Sequence, residues 1–284
     1  MLSPMSILLR SASTAVLVLT TISCTEQAEI PAATIVQSSP TPAKIEKLHN
    51  NVKVIHVLVA LCDNINQGIV PVSARLGNGQ EPSTNLYWGA AFGVKTFFSK
   101  SQQWTKILDV QNPGPSVLER VVFKHDGDGA LLIADAYDGS RMKITVDDFL
   151  SSASGNKLEN IDIDGKTIQL FSSADMIAFI GHDGLMDFHY DKPIVKNGDI
   201  TQDAMILACA SKQYFSPVLK RTGAIPILWT TNLMAPEAYI LHDALEGWLR
   251  NESGEQIRKR AAAVYAKYQR ISVPSAEGLF ATGF

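Results

Sequence analysis

Two residues in the last third of the chain carry the clearest chemistry: His182, within Gly181-His182-Asp183-Gly184, and Cys209, within Cys209-Ala210-Ser211. Each follows a short apolar run, MIAFI at 176–180 and DAMILA at 203–208. A thiol becomes a useful nucleophile when a neighbouring base takes its proton or stabilises its thiolate, and imidazole is suited to that task at neutral pH. Backbone N–H groups at Gly184 and Cys209 are natural donors to the oxyanion that such an attack creates. Cys62 and Asp63 follow another apolar run and, with Asp183, are candidates for shaping the same site. His182, Asp183, Asp187 and His189 are of types that suit zinc, but no second cluster completes a metal site, and no cofactor is expected. The sequence has no phosphate-binding loop, no dinucleotide glycine fingerprint and no serine nucleophile elbow.

These residues need elements that bring them together. The run VKVIHVLVAL at 52–61 is β-branched and almost continuously apolar, as suits a strand buried on both faces, and His56 within it is expected to be packed there. Gly68, Pro71, Gly77, Gly79 and Pro82 mark 65–84 as loop, and Asn85 is placed to cap a helix over 86–100. The aromatic run in Asn85-Leu86-Tyr87-Trp88-Gly89 suits either the core or the wall of a cleft. Strands are expected at 104–110, 120–124 and 130–134, the last two joined by a turn at 125–129 whose acidic residues only faintly suggest a calcium loop. A helix follows at 146–152, and 160–169 is polar and irregular. Strands at 176–180, 203–208 and 225–229 then alternate with helices at 216–222, 236–250 (carrying His242, expected at the surface) and 253–270. Such alternation predicts an α/β fold, a mostly parallel sheet with helices on both faces. In sheets of this kind functional groups gather beyond the carboxyl ends of the strands. Consecutive strands tend to be neighbours about 5 Å apart, which would put His182 and Cys209 within reach of each other.

The chain has 284 residues, 46% hydrophobic and 19% charged, with a formal net charge of −3. That is globular composition without a basic run, so nucleic acid is not an expected partner. Residues 1–24 resemble a signal peptide: Arg10, a short apolar stretch, then Thr21-Ile22-Ser23-Cys24, which is similar to a bacterial lipobox with Cys24 as the lipidated residue. Residues 25–47, rich in Ala, Pro, Ser and Thr, suit a flexible tether. One domain over 48–272 and a C-terminal tail over 273–284 complete the organisation. Location in a bacterial envelope, lipid-anchored at a membrane, is the expectation. Besides Cys24 there are only Cys62 and Cys209, and a bridge between them is the one disulfide available.

Strand–His-Gly followed by strand–Ala-Cys-x-Ser resembles the caspase-like cysteine peptidases, which include clostripain, gingipains, legumain, metacaspases and CHAT domains. The resemblance is strongest over 176–250, where Gly223-Ala224 leads into a strand followed by a loop and a long helix. It implies a caspase-like three-layer sandwich, a His182–Cys209 dyad and a peptide or protein substrate. Asp183 intervenes between His182 and Gly184, Lys212 follows Ser211, and Leu207 stands where many of these peptidases carry an acidic residue or Gln that shapes specificity. A catalytically inactive member that binds a peptide or partner is therefore the alternative expectation. The anchor has its own test: Cys24→Ala should leave the protein unprocessed or release it from the membrane fraction. Unchanged membrane association would refute the lipid anchor, because one cysteine carries the whole attachment.

Overall fold

Burial on both faces dictates the centre of the molecule. The computed structural model describes residues 52–199 and 201–284, so the expected signal peptide, Cys24 and the whole expected tether lie outside the described residues. Strand β1 (Val54–Ala60) is buried at every position. It pairs in parallel with β4 (Leu131–Tyr137) on one side and β7 (Met176–Ile180) on the other. Beyond β7 follow β8 (Asp203–Leu207) and β9 (Ile225–Thr230), both parallel, and the antiparallel edge strand β10 (Phe280–Ala281). On the far side of β4, a hairpin of β2 (Trp104–Gly114) and β3 (Val117–His125) extends the sheet antiparallel. The result is one mixed, mostly parallel eight-stranded sheet in the order β10-β9-β8-β7-β1-β4-β3-β2.

Helices cover both faces. One face of the sheet packs against α1 (Val94–Ser99), α4 (Ala238–Leu249), α5 (Gly254–Gln269) and α6 (Val273–Leu279). The other packs against α2 (Met142–Ala153), α3 (Ser211–Thr222) and a separate hairpin of β5 (Leu158–Ile163) and β6 (Lys166–Phe171). Along β1 the side chains alternate between these cores, Ile55, Val57 and Val59 to the first and Val54, Leu58 and Ala60 to the second. The α/β fold expected from the sequence is thus present. Because the chain runs from β1 outward to β4 and later returns to β7, the sheet order reverses between β1 and β7, the place at which open sheets of this kind position functional groups. Among the described residues no helix is long and apolar enough to cross a membrane.

Several elements differ from the sequence expectation for identifiable reasons. Residues 86–100 are helical only from Val94, because the Asn85 side chain is spent on other work: it accepts from the Cys62 and Tyr87 N–H groups and donates to the Cys62 and Asn78 carbonyls. The polar stretch 160–169 is a hairpin that buries only Ile163, Ile168, Leu170 and Phe171. Helix α3 begins at Ser211, five residues before the expected start, so Pro217 lies inside it. The last dozen residues form α6 and β10, with Ala276 and Phe280 buried. His242 is buried against Phe97 and Phe98 and bonds to Ser101 Oγ (2.9 Å), which corrects the surface expectation.

His56 is packed, as expected, and with a charged partner. Asp135 of β4, fully buried, takes a two-pronged contact from Arg120 (Nε 2.6 Å, Nη2 2.8 Å) and a third from His56 Nε2 (2.9 Å). The N–H of Phe171 points at His56 Nδ1 (3.3 Å), so Nε2 carries the ring proton toward Asp135. Arg120 also reaches Glu159 of β5, tying the small hairpin to the main sheet. Burial alone would raise the Asp135 pKa, but Arg120 and His56 pull it from 3.8 down to about 2. A depressed acid stabilises the fold above its unfolded pKa, so this contribution should be intact above about pH 4 and lost as pH falls from 4 toward 2. Asp135→Asn strands a buried guanidinium and should cost roughly 3–5 kcal/mol in urea unfolding at pH 7. A loss under 1 kcal/mol would show that Glu159 alone suffices for Arg120.

Candidate active site

The carboxyl ends of β1, β7 and β8 lie side by side at the sheet reversal, and the register fixes what they deliver. Ile180 pairs with Val59 of β1 and with Leu207 of β8. His182 and Cys209 therefore lie equally far, two residues, beyond a paired position on adjacent parallel strands. Gly181 turns the chain out of β7 at φ 143°, and a Cβ there would sit 2.6 Å from the Ala60 carbonyl, so only glycine permits the turn.

The histidine is oriented by a residue that sequence reasoning had weighed only as a metal ligand. Asp183 caps a 3-10 turn, Gly184–Met186, by accepting from the Leu185 N–H (2.9 Å). That turn folds Asp187 back onto the ring, with His182 Nε2 2.7 Å from Asp187 Oδ2. A carboxylate only accepts, so Nε2 bears the proton and the lone pair is on Nδ1. Asp187 Oδ2 also accepts from the Gly68 N–H (3.0 Å), which ties the 65–84 loop to the same carboxylate. The Gly184 N–H, first in the turn, is not used by the turn itself.

Cys209 is half-buried and free. Its Sγ accepts from the Met234 N–H (3.4 Å) and donates to the Met234 carbonyl (3.5 Å). Ala210, with φ 48°, then starts α3. The Ser211 hydroxyl donates to the Ile206 carbonyl (2.8 Å) and accepts from the Thr230 N–H (3.0 Å), locking the end of β8 to β9. Burial pushes the Cys209 thiol up, the Met234 N–H opposes this, and the charge of Asp183 adds to it. The resting group is a thiol. No hydrogen bond joins His182 to Cys209: the ring is bonded to Asp187 and the sulfur to Met234. Bonds of this kind are often long before substrate arrives and tighten in the complex.

Cys62 is fully buried and also free, so the bridge to Cys209 is not formed. Burial, opposed by a hydrogen bond with Tyr87 and assisted by Asp63, pushes its thiol up to about 11. Tyr87 feels both sulfurs, Cys62 and Cys209, which places a buried phenol among them. Trp88, by contrast, is core, its Nε1 donating to Glu119 (2.6 Å). Asp63 organises the loop rather than the chemistry: it accepts from the Ile65 and Asn66 N–H groups, Asn66 Nδ2 and Gln80 Nε2, all within 3.0 Å. Burial opposes its ionisation, yet these donors together hold its pKa below the usual carboxylate value. Among the described residues no group of three or more His, Cys, Asp or Glu is arranged to hold a metal.

Asp183 is the unsettled group. It is fully buried, and its Oδ2 has no hydrogen-bond partner. Burial first, and the nearby charge of Asp187, raise its pKa to about 7 against the opposing Leu185 N–H. An acid with a raised folded pKa contributes stability that is full below its unfolded pKa and falls away as pH rises to the folded one. Wild-type stability should therefore decline between about pH 4 and pH 7, by up to roughly 4 kcal/mol from this group. Asp183→Asn cannot ionise and still accepts from Leu185, so its stability relative to wild type should climb over that interval and level off above it. A pH-independent difference in urea midpoints would show Asp183 to be ionised or solvated throughout.

The chain matches no protein-family model, no curated protein and no solved structure.

Proposed function

We propose that this chain is a caspase-like cysteine hydrolase, a peptidase, that uses Cys209 as nucleophile and His182 as general base and acid. The observation that carries the reading is the shared register of β7 and β8, which sets the two side chains at adjacent parallel strand ends, with the histidine tautomer fixed by Asp187. The order β4-β1-β7-β8-β9, with helices on both faces, supports the family resemblance seen in the sequence.

The steps follow from proton positions. With Nε2–H held on Asp187, Nδ1 of His182 takes the proton of the Cys209 thiol as sulfur attacks a carbonyl carbon. The oxyanion is met by the N–H groups of Gly184 and Cys209, and the imidazolium returns its proton to the departing amine. Water, deprotonated by the same Nδ1, then releases the acyl group from sulfur. A thiol raised by burial and by Asp183 is a poor spontaneous thiolate, so the proton transfer to His182 is the step that activates it. No cofactor enters. The substrate is a peptide or protein, and the N-terminal signal, with Cys24 as lipid anchor, would place the enzyme at a bacterial envelope membrane.

A second reading has its own observation. The contacts of Cys209 with the Met234 backbone suit a thiol kept as a structural group, and an inactive domain that binds a peptide or partner would keep the same fold. A thiol-directed acyl probe separates the two. Wild type should be labelled at Cys209, and Cys209→Ala should lose labelling and turnover while staying folded. His182→Ala should cost most of the rate, and the double variant hardly more, since the two act as a unit. Asp187→Asn leaves the ring without its anchor and should lower kcat by roughly 100-fold or more. Full activity in Cys209→Ala would end the hydrolase reading in favour of the binding domain.

A further inference from the structure

The loop that orients His182 also forms one wall of a cavity. A cavity of about 560 Å³ lies between residues 185–191 and the first turns of α3. Its apolar walls come from Leu185, Phe188 and Tyr190 on the loop side and from Tyr214, Pro217 and Val218 on the helix side. Both walls are continuous with the dyad. Asp187, in the lining, is the carboxylate bonded to His182, and α3 starts two residues after Cys209. The walls are held in place: the Tyr190 hydroxyl donates to Asp147 (2.7 Å), and Phe188 has the Lys143 ammonium 5.4 Å from its ring centre.

We propose that this cavity is the subsite for an aromatic or bulky aliphatic side chain on the leaving side of the scissile bond. The inference rests on the hydrolase reading and adds a substrate class to it. Direction follows from the chemistry: His182 must protonate the departing amine, so the residue attached to that amine leaves the site past His182 and its partner Asp187. Character follows from the lining. Of the charged lining, Asp187 is already paired with His182, which leaves Asp191 beside His189, so a lysine side chain is the competing occupant that the test must exclude. What remains for recognition is apolar and aromatic surface of a size that encloses one large side chain, with Gln213 at the rim. Discrimination from such surface is expected to be about ten-fold or more between a large apolar residue and glycine.

The test uses the full chain in two backgrounds. In wild type, products from a mixed peptide library are mapped by mass spectrometry, and cleavage should fall before Phe, Tyr, Leu or Met. In Cys209→Ala, three fluorescein-labelled hexapeptides differing only by Phe, Gly or Lys at one position are compared by anisotropy. The Phe peptide should bind at least ten-fold more tightly than the other two. Gln213→Trp, an exposed position on α3 that can fill the cavity mouth, should abolish that difference, and Tyr214→Ala should weaken it. Equal binding of the three peptides, or a preference that survives Gln213→Trp in a folded protein, overturns the proposal. If wild type is labelled and cleaves peptides through Cys209 but ignores the residue after the bond, the subsite fails and the hydrolase stands. If nothing is cleaved and the Phe preference is nonetheless seen and lost in Gln213→Trp, the hydrolase fails and the cavity stands as a peptide-binding site.

Discussion

The approach of Gly181 to the carbonyl of Ala60 is the constraint on which the site depends. At that point the chain leaves β7 with φ 143° and passes close enough to β1 that no side chain fits between them. Had β7 continued straight, His182 would have stayed in the plane of the sheet, and the turn at Gly184–Met186 would have had no place beside the α2 residue Met142. Because the chain turns there, Asp183 becomes a cap and Asp187 returns to the ring five residues later. The glycine thus sets where the ring is, and the turn that follows sets which ring nitrogen is available. Any larger residue at 181 must displace β1 or β7, both buried at every position.

The sulfur and the ring are held by different groups. Around Cys209, burial and the charge of Asp183 favour the neutral thiol, and only the Met234 N–H favours the thiolate. At His182, the Asp187 carboxylate fixes Nε2 as the hydrogen-bond donor. In the proposed mechanism, a proton leaving sulfur for Nδ1 leaves behind a thiolate in a partly buried position. Asp183 links the two. When it carries a proton, the sulfur no longer faces its charge, so ionisation of one buried carboxyl acts directly on the Cys209 thiol. Asp183 also separates His182 from the glycine that opens the turn, so one residue both caps that turn and faces the sulfur.

The legible parts of the sequence were those where one local signal matched one structural demand. The runs 176–180 and 203–207 are strands because nothing but a two-sided burial suits them, and α5 starts where Ser253 and Gln256 form a reciprocal cap. The failures share a cause, a side chain recruited by a distant partner. Asn85 has the chemistry of a helix cap, yet Cys62, 23 residues earlier, uses it. The hairpin of β5 and β6 alternates short apolar positions with charged ones, and its burial is supplied by α2 and the Arg120–Glu159 contact rather than by its own composition. Strand β10 is two residues long and exists only because β9 offers an open edge. At the candidate site, the sequence places His182 and Cys209 at strand ends, and the strands concerned are neighbours in the sheet. The role of Asp187 was not legible, because a separation of five residues becomes a contact only through the turn that Asp183 caps.

That contact draws its strength from its surroundings. An ion pair or charged hydrogen bond with a partner exposed to about a third, as Asp187 is, contributes little when both side chains must be ordered to make it. Here the ordering is already done on both sides. The 3-10 turn fixes the Asp187 backbone through the Gly184 carbonyl (2.9 Å), and the Gly68 N–H fixes its carboxylate. Gly68 in turn belongs to a loop that is held from within. Asp63 gathers four donors, Gln67 donates to the Leu61 and Gly139 carbonyls, and the Asn64 side chain donates to the Val72 carbonyl and accepts from its N–H. The 65–84 segment, which composition marks as loop, is thus a rigid arm from the end of β1 to the histidine partner. Orientation of the ring follows from β1 and β7 together, two strands more than a hundred residues apart in sequence, and the sheet reversal between them is what makes a surface carboxylate an effective anchor.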